Sequence, residues 1–257
     1  MIEEILKAQL PDGGFSLYHD TADVDITAMA LQALAPYANS FQSFTYTQQA
    51  INTTVTKTVR TVVEEALATL STMQTKSGDF TSWGEPNAES TAQVLVALSA
   101  LQIDPLTDTR FIKNGQTMLD GLMRYQQEDG GFIHSENYNP ENPTSLPDES
   151  NSMASEQVLY ALIAYKRATE NFRALYDIRA EQNNTLKQQI EQLEQAILSA
   201  DLTKLERVKE LLQMYSAIPV NEVMYIDHFE QLQQAVIDLE VDYETPSFSE
   251  QMGVTTN

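Results

Sequence analysis

Ten polar and aromatic residues carry the chemistry that this 257-residue chain could perform: Tyr18, Asp23, Asp25, Trp83, Glu85, Asn87, Glu89, His134, Tyr138 and Glu156. All of them follow one of three short turns of the form Gly-x-Phe. Aromatic faces set among carboxylates and amides suit a polar, ring-bearing or cationic ligand, a sugar or a corrinoid for example. Anions are disfavoured, because the carboxylates crowd the same end. The same residue types also cap helices, accepting hydrogen bonds from the first free backbone N–H groups. Asp25 and Asn87 stand where such caps are expected. The set is therefore either the mouth of a ligand cleft or a collection of caps and satisfied loop side chains. Metal chemistry finds little footing: there is no cysteine, and His19, His134 and His228 fall at no recognisable ligand spacing.

What would position these residues is a repeat. The pattern apolar-x3-Gln-x3-Gly-x-Phe occurs at Ile5, Gln9, Gly13 and Phe15, at Leu70, Gln74, Gly78 and Phe80, and at Leu122, Gln126, Gly130 and Phe132. A second unit, hydroxyl-x3-Leu-x-Ala-Leu, follows each time, beginning at Thr27, Thr91 and Ser155, which are 64 positions apart in both intervals. The apolar residue and the glutamine share one face at the end of a helix. Glycine then ends that helix without steric cost, and phenylalanine returns the chain to the core. The helix that follows is rich in alanine and leucine on nearly all sides, which predicts burial all round. The spacing predicts helices over about 1–10, 26–37, 47–75, 88–101, 109–127 and 152–169, with 26–37, 88–101 and 152–169 side by side on the inside. Loops are expected over 39–47 and, rich in proline, over 136–149.

Beyond Ile178 the pattern changes to three amphipathic stripes, at Leu186 to Ile197, Leu205 to Tyr215 and Phe229 to Leu239. These predict a three-helix module over 179–242, with helix starts at Asp201 and Asn221, followed by a disordered tail over 243–257.

Charge bounds the partners. With 37 acidic and 15 basic residues the net charge is −22, which argues against nucleic acid and anionic membranes. No apolar run is long enough to cross a bilayer, and no signal peptide is visible. The absence of cysteine excludes disulfides and a thiol nucleophile.

The glutamine-glycine-phenylalanine turn resembles the repeat of squalene and hopene cyclases, protein prenyltransferase β-subunits and transcobalamin. It is most similar to the transcobalamin-like modules of bacterial surface proteins. The stretches Asp23–Tyr37, Asn87–Pro105, Phe111–His134 and Met153–Arg167, with Leu175–Ile178, carry the likeness. The resemblance implies an all-α fold, a partial α/α toroid over 1–178 followed by the small helical bundle, which itself looks like a spacer module of Gram-positive surface proteins. Such a toroid has about twelve helices and this chain about half. Met1 stands four residues before Ile5, so the expectation is a piece of a longer precursor, exported to the surface of a Gram-positive bacterium. An open flank of that kind would be covered by a second copy, giving a homodimer, or by the C-terminal helices.

Two functions follow from the resemblance. One is a non-catalytic extracellular module, a spacer or a binder of a glycan or of cobalamin as a cofactor-like ligand. The other is a terpene-cyclase-like enzyme. The run Asp23-Val24-Asp25-Ile26-Thr27-Ala28 resembles the acidic motif of class II terpene cyclases, whose middle aspartate protonates an alkene, and Asp25 holds that place as general acid. Ile26 replaces the last aspartate of that motif, however, and Trp83 is the single tryptophan where such a cavity needs many aromatic rings. The prenyltransferase zinc site is excluded by the missing cysteine.

Overall fold

The computed structural model describes residues 2–18, 20–143 and 145–243. His19 and the expected tail from residue 244 onward lie outside the described residues. Among the described residues there are nine α-helices: α1 (Ile2–Lys7), α2 (Val24–Leu34), α3 (Val59–Met73), α4 (Ala88–Ala100), α5 (Met118–Met123), α6 (Ser152–Thr169), α7 (Asn184–Ser199), α8 (Leu205–Ser216) and α9 (Phe229–Asp238). Two antiparallel hairpins interrupt them, β1 (Ser43–Gln48) with β2 (Thr53–Thr58), and β3 (Phe80–Ser82) with β4 (Glu85–Asn87). The chain is thus mainly helical with two small sheets, and the expected all-α toroid fragment is overturned.

The expected loop over 39–47 instead contributes β1, and two predicted helices are shortened. Val55 continues the helical stripe of Val59 and Val62, yet it lies in β2, because residues 53–58 are mostly threonine and β-branched side chains suit a pleated ribbon. Asn52, at φ 51°, turns the chain, and Thr45–Thr56 (2.8 Å) and Thr47–Thr54 (3.0 Å) bond across the strands. The helix expected over 109–127 shrinks to α5. Asn114 and Gly115 both have positive φ and fold Lys113 back onto Gln116, and Thr117 and Asp120 then close a reciprocal capping box at Met118.

The repeat itself is a hydrogen-bonding unit. At each turn the phenylalanine N–H donates to the hydroxyl of the following helix: Phe15 to Thr27 (2.9 Å), Phe80 to Thr91 (3.0 Å) and Phe132 to Ser155 (2.9 Å). The glutamine amide of the first two units closes its own turn and reaches the next outer segment. Gln9 donates to Gly13 and Val62 carbonyls, and Gln74 to Gly78 and Phe111 carbonyls. Helices α2, α4 and α6 pack side by side with α4 in the centre, buried along nearly its whole length. Gln93 links the three, accepting from Gln32 (3.1 Å) and donating to Gln157 (3.2 Å) and Tyr160.

Helix α6 departs from the expected burial. Leu31 and Leu95 are fully buried, but the equivalent Leu159 is 59% exposed, with Ile163 exposed beside it. Helix α3 packs on α2 and α5 on α4, whereas among the described residues no outer helix packs on α6 in that way. Gln126 is accordingly exposed and its amide reaches no partner among the described residues.

A second hydrophobic cluster gathers Leu193, Ile197, Val208, Leu211, Phe229 and Leu232 from α7, α8 and α9. Asp201 is not the start of α8; it accepts from Thr203, and Lys204 occupies the cap without a side-chain bond. Asn221 leads only into a 3-10 turn at Val223–Tyr225. The cluster meets the repeats through Asn39, whose amide donates to the carbonyls of Val223 (3.1 Å) and Ile226 (2.6 Å), and through Phe41, which packs edge-on against Tyr215 and Phe229.

Gly78 has φ +92°, and a Cβ there would lie 2.1 Å from the Thr117 carbonyl oxygen, while Gly130 has φ +87° with open space around it. Gly130→Ala should therefore cost only left-handed strain, about 1–2 kcal/mol. Gly78→Ala should add overpacking against a backbone that cannot yield, about 1–3 kcal/mol more. Denaturant unfolding of both variants checks this, and equal losses would refute the close approach of α5 to the second turn.

Candidate functional site

The first turns of the three inner helices converge. Asp25, Glu89 and Met153 are the second residues of α2, α4 and α6 and stand 64 positions apart, and Met29, Gln93 and Gln157 repeat that relation one turn later. All six line one cleft of about 570 Å3, together with Ser82, Trp83, Glu85, Asn87, Ser90 and His134 and the loop residues Asn139, Glu141 and Asn142. Among the described residues no lysine or arginine lines it.

Asp23 and Asp25 divide the two roles expected of one residue. Asp23, in extended conformation, caps α2: its carboxylate accepts from the Ile26 N–H (2.9 Å) and from the Ser82 hydroxyl (3.3 Å). The expectation that Asp25 is the cap is therefore corrected. Asp25 lies inside the first turn, half-buried, and its Oδ1 is sealed from solvent without a hydrogen-bond partner. Burial pushes its carboxyl above the ordinary aspartate value, reinforced by the charges of Asp23 and Glu89 and opposed by the hydroxyls of Ser90 and Ser82.

Glu89 is only 8% exposed. Its Oε2 pairs with His134 Nδ1 at 2.7 Å, while Oε1 is buried with no partner. That pairing holds the imidazole above its ordinary value against the desolvation that lowers it. The third turn is pinned to α4 as well, since the Ala88 N–H donates to the His134 carbonyl (2.9 Å). Asn87 caps α4 as expected, accepting from the Ser90 N–H (2.8 Å), and its amide donates to the Glu85 carbonyl (3.1 Å). Trp83 and Gly84, both at positive φ, form the two-residue turn of the β3–β4 hairpin and leave Trp83 85% exposed at the rim.

Six of the ten candidates therefore meet: Asp25, Trp83, Glu85, Asn87, Glu89 and His134. Asp23 adjoins them through Ser82, whereas Tyr18, Tyr138 and Glu156 are exposed and line no part of the cleft. The missed members Met29, Met153, Gln93 and Gln157 were legible in the 64-residue register, which links them to Asp25 and Glu89. Ser82 and Glu141 carry no such signal, because a hairpin and a loop bring them in. Trp83 is the single aromatic residue of the lining, so the wall offers amides, hydroxyls and carboxylates rather than the rings a carbocation needs. Among the described residues no cluster of His, Asp and Glu could hold a metal ion.

Comparison with protein families, with curated proteins and with solved structures finds no match to this chain.

The folded-state value of Asp25 lies above the unfolded 3.8, so between those two values the folded protein holds a proton that the unfolded chain has released. That contribution to stability is full below pH 3.8 and is lost as pH rises through the folded-state value. Asp25→Asn should accordingly melt higher than the native protein at neutral pH, with the advantage vanishing in acid. Asp23→Ala should lose about 1 kcal/mol through the missing cap. Melting curves across the acid-to-neutral range check both. An Asp25→Asn protein weaker than the native one at neutral pH would mean that the carboxylate is ionised and partnered.

Proposed function

We propose that this chain is a non-catalytic binding module whose cleft takes a small cationic ligand built on a polar ring, an amino sugar being the type. The observation that carries this reading is a cleft lined by carboxyl groups, with no lysine or arginine among the described residues of its wall. Four carboxyl residues, Asp25, Glu85, Glu89 and Glu141, face one histidine, which favours a positive charge. The exposed ring of Trp83 suits the face of a sugar or an ammonium group. The polar lining speaks against Asp25 as an alkene-protonating acid, which requires a dry, aromatic-walled pocket.

Trp83 is the only tryptophan, so its fluorescence reports on the rim directly. Titration with glucosamine oligomers should shift the emission saturably, whereas the neutral glucose oligomers and cobalamin should bind at least roughly tenfold more weakly. Glu89→Gln should weaken the glucosamine interaction by roughly tenfold or more while leaving the fold intact. Equal binding of neutral and cationic sugars, or no response to any, would overturn the reading. An Asp25-dependent cyclic product from squalene or geranylgeranyl diphosphate, sought by mass spectrometry, would replace it with an enzyme.

A further inference from the structure

The opposite ends of the same inner helices build a second cavity of about 420 Å3, and its chemistry is the reverse of the acidic cleft. Its lining again follows the repeat: Pro36, Ala100 and Ala164 are 64 positions apart and all belong to it. Small residues at this one register position leave room where three helix ends converge. Ala174 and Leu175 on one side and Met224 on the other complete apolar walls, with the largely exposed Tyr176 on the solvent side.

A buried ionic clamp ties two of those walls to each other. Arg173, nearly fully buried, donates from both terminal nitrogens to the two oxygens of Glu222 (3.0 and 2.9 Å). Arg179 bonds Asp177 (2.6 Å) and reaches Glu222 (3.3 Å), and the Tyr225 hydroxyl donates to Asp177 (2.7 Å). Such buried pairs add little net stability, but their fixed geometry ties residues 173–179 to the 3-10 turn at Val223–Tyr225. Two segments that line the cavity are thereby held in a fixed relation. Its volume lies within the roughly 300–1,000 Å3 of small-molecule sites, which are apolar with a few polar groups.

Charge defines the occupant. Asp177 and Arg179, the charged members of the lining, neutralise each other, so the wall offers an ion no unpaired partner. A cation or an anion entering here would lose its hydration without replacement. Exchange of water at these alanine, leucine and methionine surfaces for apolar atoms is favourable. We propose that this cavity binds an uncharged, largely apolar small molecule, of the size of an aromatic ring system or a branched hydrocarbon, independently of the acidic cleft.

The test uses the full chain and the uncharged solvatochromic dye Nile red. Saturable binding of one dye per chain with blue-shifted emission is expected, and the anionic dye 1-anilinonaphthalene-8-sulfonate should bind at least roughly tenfold more weakly. Ala100→Phe and Ala174→Phe fill the space from two different walls, and each should weaken Nile red by roughly tenfold or more at unchanged circular dichroism. Glu89→Gln and Leu159→Glu, in the acidic cleft and on the open face of α6, should leave it unaltered. The proposal fails if Nile red does not saturate, if a folded filling variant of either wall binds it like the native chain, or if Leu159→Glu removes the binding.

Discussion

Each Gly-x-Phe turn hands its phenylalanine N–H to a helix hydroxyl, and the packing of the repeats depends on that bond. The separations between partners are 12, 11 and 23 residues, so the intervening chain varies while the contact does not. A loop can lengthen at small entropic cost, whereas a buried N–H without an acceptor costs about 1–3 kcal/mol. The bond fixes the depth at which each inner helix begins, and with it the level at which Asp25, Glu89 and Met153 stand. The glutamine amides act in the other direction, tying each turn to the outer segment that follows. At Gln126, where no such segment follows among the described residues, Leu159 is exposed.

Parallel inner helices give the molecule two unlike ends. At their N-termini the free N–H groups and the helix dipole favour negative charge, which makes carboxylates at this end tolerable. Asp23 uses that field as a cap, but Asp25 stands in a crowded, partly dry space where burial and the charges of Asp23 and Glu89 raise the cost of ionising it. At the C-termini the register supplies Pro36, Ala100 and Ala164, too small to fill the space between three helix ends. One repeat thus produces an acidic cleft and an apolar cavity by placing different residue types at two fixed positions.

The C-terminal helices meet the repeats through polar contacts that secondary structure does not provide. The Asn39 amide donates to the carbonyls of Val223 and Ile226, at and just after a 3-10 turn, and Glu222 collects Arg173, Arg179 and the Gln182 amide (2.8 Å). These contacts join segments forty or more residues apart, and no local pattern announces them.

The repeat, its 64-residue register and the amphipathic stripes of α7 to α9 were legible in the sequence, because periodic burial imposes periodic residue choice. Asn87 as a cap and the polar character of the residues after each turn were legible for the same local reason. Helical spacing failed at Val55, where threonine-rich strands pair across a tight turn, and over 109–127, where positive φ at Asn114 and Gly115 broke the stripe. The roles of Asp23 and Asp25 could not be separated locally, since either carboxylate can cap a helix, and only the entry angle of the chain decided between them. Packing alone decided which candidates met, and it left Tyr18, Tyr138 and Glu156 in solvent. The 64-residue register supplies Pro36, Ala100 and Ala164 to the apolar cavity, but its remaining walls and the ionic clamp are tertiary, because they arise where a loop and a distant turn come together.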